Sequence, residues 1–115
     1  MKKFLVMYLA PAAVLEEWMQ KPEEDRKAEE EKMKTEWDVW MRSHRDVIKE
    51  TAGVGKTKKV TGEGITDTKN DIMLYSIVEG ESAESVAGIF RGHPHFGIPE
   101  ASIEVMPVNY LPEME

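Results

Sequence analysis

Three histidines are the side chains of this chain best suited to acid–base chemistry at neutral pH, and two of them flank one proline in the sequence Gly92-His-Pro-His95. Pro94 fixes its own φ and favours an extended backbone at His93, so the two imidazoles are held close together. A loop after a helix and before a strand often lines a cleft, where a histidine can act as general acid or base. We therefore predict that His93 and His95 are catalytic. The alternative is that the segment is only a rigid turn.

A carboxylate would be needed to hold the second nitrogen of such a histidine. Three candidates lie in the second half of the chain: Asp67, Asp71 and Glu104. The three histidines, including His44, together with Asp67 or Glu104 would also make a metal site, but nothing in their spacing requires one. We predict no metal.

Aromatic side chains could line a cleft that accepts a small organic molecule. The predicted substrate-binding residues are Trp37, Trp40, His44, Tyr75 and Phe96. Aromatic residues at helical spacing more often belong to the core than to a ligand site, so the alternative for Trp37 and Trp40 is that they are core residues. The alternative for His44 is that it lies at the edge of the core and is hydrogen-bonded to a backbone carbonyl.

Cofactor motifs are missing. The segment Thr51-Ala-Gly-Val-Gly-Lys-Thr57 resembles a phosphate-binding loop, but the Walker pattern requires glycine where Glu50 stands. The segment also follows a helix, whereas a phosphate-binding loop follows a strand. There is no nucleophile elbow and no dinucleotide fingerprint. We predict no cofactor.

Composition limits the function classes. The chain of 115 residues has a net charge of -7 and no cysteine, which argues against a nucleic-acid surface and excludes disulfides and thiolate chemistry. No apolar run approaches the length of a membrane span. The first dozen residues could pass for a short secretory signal, but we favour a buried strand from Phe4 to Ala10 and a cytoplasmic location.

Hydrophobic periodicity predicts one α+β domain over residues 1–110, followed by a tail at 111–115. A short helical turn at Ala12–Gln20 precedes a long helix from Glu23 to about Val47, which carries an apolar stripe. A second helix begins after Ser82. The predicted strands are Phe4–Ala10, Val54–Thr61, Ile72–Val78 and a last strand containing Ile103 and Val105.

This order of elements is the ferredoxin-like βαββαβ pattern, in which both helices cover one face of an antiparallel sheet. The strands Phe4–Ala10 and Ile72–Val78 are apolar on both faces. The sheet face without helices would therefore expose an apolar patch. We predict that it is covered in a homodimer, packed sheet to sheet.

The second half of the chain resembles the YCII-related and DGPF group of small dimeric α+β-barrel proteins. The likeness rests on Ile65-Thr-Asp-Thr-Lys-Asn70, the strand through Val78, the helix after Ser82 and the ending GHPHFGIPEASIEVMPV. It implies a dimeric α/β-barrel. Most members of the group are uncharacterised, and a few resemble degradative enzymes with a His-Asp pair at the dimer cleft.

The chain departs from that group at the residues that would carry the chemistry. His93-Pro94 stands where the group has Asp-Pro, and the histidine usual early in the first helix has no counterpart between Glu31 and Lys34. The Asp-Gly-Pro-Phe tetrad is absent. The two functions that stay open are binding or transformation of a small organic molecule with histidine acid–base chemistry, and a non-catalytic dimeric interaction module.

Overall fold

The computed structural model describes residues 1–111 and contains a four-stranded antiparallel sheet with helices on one face. The strands are β1 (Lys2–Leu9), β2 (Ile48–Gly53), β3 (Lys58–Thr61), β4 (Gly64–Asp67), β5 (Ile72–Gly80) and β6 (Ser102–Pro107). The helices are α1 (Ala12–Met19), α2 (Glu23–Ser43) and α3 (Ala83–Ile89), and a 3₁₀ turn spans Pro94–Gly97. The sheet order β2-β5-β1-β6 confirms the predicted ferredoxin-like fold.

Strand β1 is central to the sheet and pairs with β5 on one side and β6 on the other. Phe4, Val6 and Tyr8 point to the helical face and are buried, as alternation along a strand requires. They form the core with residues of β2, β5 and α3, namely Ile48, Val78, Val86 and Phe90. The prediction that β1 is a buried central strand is confirmed.

The other side of the sheet, here called the open face, carries no helix among the described residues. Its apolar side chains are half-buried and take no part in the core: Leu5, Met7, Leu9, Tyr75, Ile77 and Met106. The predicted two-sided apolar character of β1 and β5 is therefore confirmed. The predicted tail at 111–115 lies outside the described residues, apart from Leu111.

Helix α2 begins after Pro22 with three acidic residues in its first turn, where the helix dipole favours negative charge. Its apolar stripe through Met33, Trp37, Trp40 and Met41 is the half-buried side of an otherwise exposed helix. Trp37, Trp40 and Met41 pack on the core. No helix in the described residues combines the length and apolar character that crossing a bilayer requires.

Helix α3 begins at the predicted N-cap, Ser82. The Ser82 hydroxyl accepts from the Ser85 backbone N–H, and the Ser85 hydroxyl accepts from the Ser82 backbone N–H, which makes a reciprocal capping box. The helix therefore has a defined start just after β5 ends at Gly80.

The predicted second strand was wrong in position. The sheet strand is β2, whereas Val54–Thr61 contains a loop followed by β3, which pairs only with β4 in a separate hairpin. Lys56, at φ 51°, interrupts the extended backbone between the two strands. Strand β2 is an edge strand with exposed Lys49 and Glu50, so its sequence lacks a clear apolar pattern.

Two glycines near α3 provide a matched test of core packing. A Cβ at Gly80 would lie 2.4 Å from Cγ2 of Val86, whereas a Cβ at Gly88 in α3 meets nothing within 4 Å. We expect Gly80→Ala to lower the free energy of unfolding by about 1–3 kcal/mol. Gly88→Ala should raise it by about 0.5–1 kcal/mol, since alanine favours helix.

Urea unfolding followed by circular dichroism measures both changes. If a clash with Val86 is the cause, Gly80→Ala should lower the free energy of unfolding less in a Val86→Ala background than in the wild type. Equal costs in both backgrounds would contradict it.

Candidate functional site

The 3₁₀ turn at Pro94–Gly97 carries both predicted catalytic histidines. His93 precedes the turn with an extended backbone, φ -59° and ψ 142°, as predicted from the proline that follows it. The Nδ1 atom of His93 accepts a hydrogen bond of 2.9 Å from the backbone N–H of His95. The side chain of His93 is therefore the N-cap of the turn that carries His95.

His95 links this turn to the end of β1. Its Nε2 atom lies 2.8 Å from the backbone carbonyl oxygen of Leu9, 86 residues earlier in the chain. A carbonyl only accepts hydrogen bonds, so Nε2 carries the proton and donates. Both imidazoles are buried, with 2% of His93 and none of His95 exposed. They face the interior of the domain rather than the mouth of a cleft.

Aromatic rings surround the two imidazoles. Ring centroids of Trp37 and Trp40 lie 4.4 Å and 4.3 Å from that of His93. Tyr8 contacts both histidines, at 5.5 Å from His93 and 5.6 Å from His95. The ring of Phe90 completes the surroundings of His93 at 5.8 Å. These residues are called the histidine cluster: Tyr8, Trp37, Trp40, Phe90, His93 and His95.

Burial keeps both imidazoles neutral. Burial, with the nearby His95 and His44 acting in the same direction, lowers the pKa of His93 from 6.5 to about 4. Burial also lowers the pKa of His95, while the nearby backbone groups of Leu9 and Ser102 act in the opposite direction. At neutral pH each ring therefore has one N–H and one bare nitrogen.

The hydrogen bonds of the two rings determine which nitrogen of each carries the proton. Nδ1 of His93 accepts, so the proton of this neutral ring is on Nε2, and Nε2–H has no partner among the described residues. Nε2 of His95 donates, so its Nδ1 is a bare acceptor, and it also has no partner in bonding geometry. The cluster therefore contains one free donor and one free acceptor, both buried.

Two free polar atoms in a buried site are costly. Each costs about 1–3 kcal/mol relative to a hydrogen-bonded group, and most buried polar groups in folded proteins have a partner. Such atoms occur where a ligand or an ordered water completes the site.

Tyr8 is a member of the cluster that the sequence prediction missed. Its hydroxyl lies 2.7 Å from that of Ser76, which lies 2.7 Å from that of Thr51. The three hydroxyls form a chain across β1, β5 and β2. Burial raises the pKa of Tyr8, so the phenol stays protonated. The signal in the sequence was its position on the same strand face as Phe4 and Val6.

The structure brings together only part of the predicted substrate-binding set. Trp37 and Trp40 belong to the histidine cluster. His44 stacks on Trp40 at 4.1 Å, and its Nδ1 bonds the Trp40 carbonyl at 2.8 Å, which is the backbone bond weighed as its alternative. His44 is half-buried beside the cluster.

The other two predicted residues lie elsewhere. Tyr75 belongs to the open face of the sheet, and its hydroxyl donates to Glu50 at 2.7 Å. Phe96 is 47% exposed, with its ring centroid 6.3 Å from that of His95.

Within residues 1–111, no carboxylate is bonded to either histidine. Asp67 pairs with Lys58 on the hairpin, Asp71 accepts from the backbone N–H of Ala12, and Glu104 is exposed on β6. One ring nitrogen of each histidine is bonded to a backbone group, and the other has no hydrogen-bond partner among residues 1–111. Within residues 1–111 there is no group of three or more His, Asp or Glu side chains placed to hold a metal ion.

A surface pocket of about 270 Å³ lies next to the histidine cluster, between α3, the 3₁₀ turn and β6. Phe90 and Phe96 line it, and each also contacts one of the histidines. A cavity of about 150 Å³ is enough for benzene, so the pocket has room for one substituted aromatic ring. Phe96 thus lines the pocket and neighbours His95.

The fold and the cluster define a small α+β protein with a ferredoxin-like sheet and a buried pair of neutral histidines. No family model matches the chain, and no curated protein matches it. Among solved structures it is similar to 5-chloro-2-hydroxyhydroquinone dehydrochlorinase from Burkholderia phenoliruptrix, in complex with 2,5-dihydroxybenzoquinone. The two share 12% identity and a TM-score of 0.45 over 90% of this chain and 91% of the other, which is a distant similarity in fold.

The lowered pKa of His93 predicts a specific pH dependence of stability. Its pKa is about 4 in the folded protein and near 6.5 in the unfolded chain, so protonation favours unfolding. The contribution of neutral His93 to the free energy of unfolding is complete above pH 6.5. It is lost as the pH falls towards 4, and the total loss is roughly 3 kcal/mol.

His93→Asn isolates this effect, because the asparagine oxygen can replace Nδ1 as the cap and does not titrate. Urea unfolding at pH 7 and pH 4 should show a loss of stability that is about 2–3 kcal/mol smaller in the variant than in the wild type. The same loss in both proteins would mean that His93 is not held neutral by burial.

Proposed function

We propose that the protein binds a small hydroxyaromatic molecule at the histidine cluster, with His93 as hydrogen-bond donor and His95 as hydrogen-bond acceptor. The observation that carries this proposal is the pair of buried, unpartnered ring nitrogens, one protonated and one bare. A hydroxyl group is chemically complementary to both, because it can accept from Nε2–H of His93 and can donate to Nδ1 of His95.

The surroundings favour an aromatic and uncharged ligand. The walls of the cluster are rings, which prefer stacked or edge-to-face contacts with another ring. Both histidines are neutral, so a charged ligand would lose its hydration without gaining an opposite charge. A phenol-like hydroxyl on one aromatic ring meets both conditions.

The ligand would enter through the neighbouring pocket. Phe96 lines the pocket, is partly exposed and neighbours His95, so we propose that a rotation of its side chain connects the pocket with the cluster. In the bound state, Nδ1 of His95 would accept a hydrogen bond from the ligand hydroxyl, while the bond from Nε2–H to the Leu9 carbonyl holds the ring in place. His93 would donate from Nε2–H to the hydroxyl oxygen, and both rings and the ligand stay neutral.

Phenol and toluene are a matched pair of probes, since they are similar in size and toluene has a methyl group where phenol has the hydroxyl. We expect phenol to shift the ring signals of His93 and His95 in NMR titrations, and to bind about tenfold more tightly than toluene. The preference should disappear in His95→Gln, in which the amide can keep the bond to Leu9 but the Nδ1 acceptor is lost. His93→Asn likewise keeps the cap and loses the donor.

Val39→Asn is the control, because Val39 is 56% exposed on α2 and lies outside the cluster. It should bind phenol as the wild type does. If neither probe shifts the histidine signals, the cluster is closed by packing or water, and the non-catalytic interaction module becomes the better interpretation.

We further propose that the open face is the interface of a homodimer, as the sequence resemblance to small dimeric α+β-barrel proteins implies. The supporting observation is that Leu5, Met7 and Ile77 lie half-buried on a face that no helix within residues 1–111 covers. Two such faces packed together would remove this apolar surface from water.

Met7→Lys places a charge at the centre of the open face and should convert the dimer to a monomer, measured by sedimentation at micromolar concentration. Val39→Lys introduces the same charge on the exposed side of α2 and should leave the dimer intact. A monomeric wild-type protein would refute the proposed interface without affecting the phenol experiment.

A further inference from the structure

A second cleft lies at the base of the β3–β4 hairpin and shares no residue with the histidine cluster. One wall is α1, and the other is formed by the loops before β3 and after β4. Its volume of about 470 Å³ is within the range of small-molecule sites, about 300–1,000 Å³. We call it the hairpin cleft. Its apolar side chains are Ala12, Leu15, Val54, Ile72 and Met73.

The polar side of the hairpin cleft carries positive charge. Lys56, Lys69 and Glu16 line it, which gives a local charge of +1 in a chain of net charge -7. Glu16 pairs with Lys69 at 2.9 Å. Lys56 has no ion-pair partner among residues 1–111, so it is the cation available to a ligand.

The backbone of the loop around Lys56 is unusual. Lys56 has a φ of 51°, a conformation that costs a residue with a side chain about 1–2 kcal/mol. The backbone N–H groups of Gly55, Lys56 and Thr57 make no hydrogen bond to any described residue.

Other bonds hold this loop in place. The Thr57 carbonyl accepts a hydrogen bond of 3.1 Å from the backbone N–H of Thr68. The Thr57 hydroxyl accepts one of 3.2 Å from the side-chain amide of Asn70. Three consecutive N–H groups and a lysine therefore lie in one short loop that lines the cleft, and successive N–H groups of this kind can bind an anion.

We propose that the hairpin cleft binds a small amphipathic carboxylate. The carboxylate accepts from the N–H groups of Gly55–Thr57 and pairs with Lys56, while the hydrocarbon part packs on Leu15 and Met73. The loop resembles a phosphate-binding sequence, but it joins two strands and not a strand and a helix, so it offers a small anion site without a helix dipole.

Octanoate, 1-octanol and inorganic phosphate separate the contributions of head group and chain. In ¹H–¹⁵N NMR titrations, octanoate should shift the amides of Gly55–Thr57 together with those of Leu15 and Met73. We expect octanol and phosphate each to bind at least about fivefold more weakly. Phenol should leave these signals unchanged, so the outcome here is independent of the function proposed for the histidine cluster.

Lys56→Gly removes the cation and keeps a residue that adopts positive φ readily. It should weaken octanoate binding by about fivefold. Lys59→Ala removes the same charge from β3, outside the cleft, and should bind as the wild type does. The proposal is overturned if octanoate causes no shift at the loop, if octanol or phosphate binds equally well, or if the two variants behave alike.

Discussion

The hydrogen bond from His95 to the Leu9 carbonyl is the constraint on which the rest of the site depends. It joins the end of β1 to a turn 86 residues later, and it fixes which nitrogen of His95 carries the proton. The cap bond from His95 N–H to His93 fixes the tautomer of the neighbouring ring. Two backbone groups thus determine that the buried pair presents one donor and one acceptor.

This arrangement is stable only while both rings are neutral. Tyr8 contacts both histidines and is itself buried, and its hydroxyl is already bonded to Ser76. In the described part of the chain no charged partner is bonded to either imidazole, so burial lowers both pKa values without compensation from a carboxylate. The chemistry available to the cluster is therefore that of neutral imidazoles in a dry aromatic environment, which differs from the His-Asp chemistry of a polar cleft.

The sequence was sufficient for those parts of the fold that have strong periodicity. β1, β5 and α2 were predicted because their apolar residues recur at strand or helix spacing. β2 was misplaced because an edge strand tolerates polar residues such as Lys49 and Glu50. The burial of His93 and His95 could not be predicted, since their neighbours Tyr8 and Trp37 are more than fifty residues away in the chain.

The two faces of β1 divide the proposed functions. Tyr8 and Met7 are adjacent, yet Tyr8 belongs to the histidine cluster and Met7 to the open face. The same alternation separates Ser76 from Tyr75 on β5. Leu9 combines both roles, since its side chain lies on the open face while its backbone carbonyl orients His95. A change of side chain at Leu9 therefore tests the open face while leaving in place the carbonyl group that bonds His95.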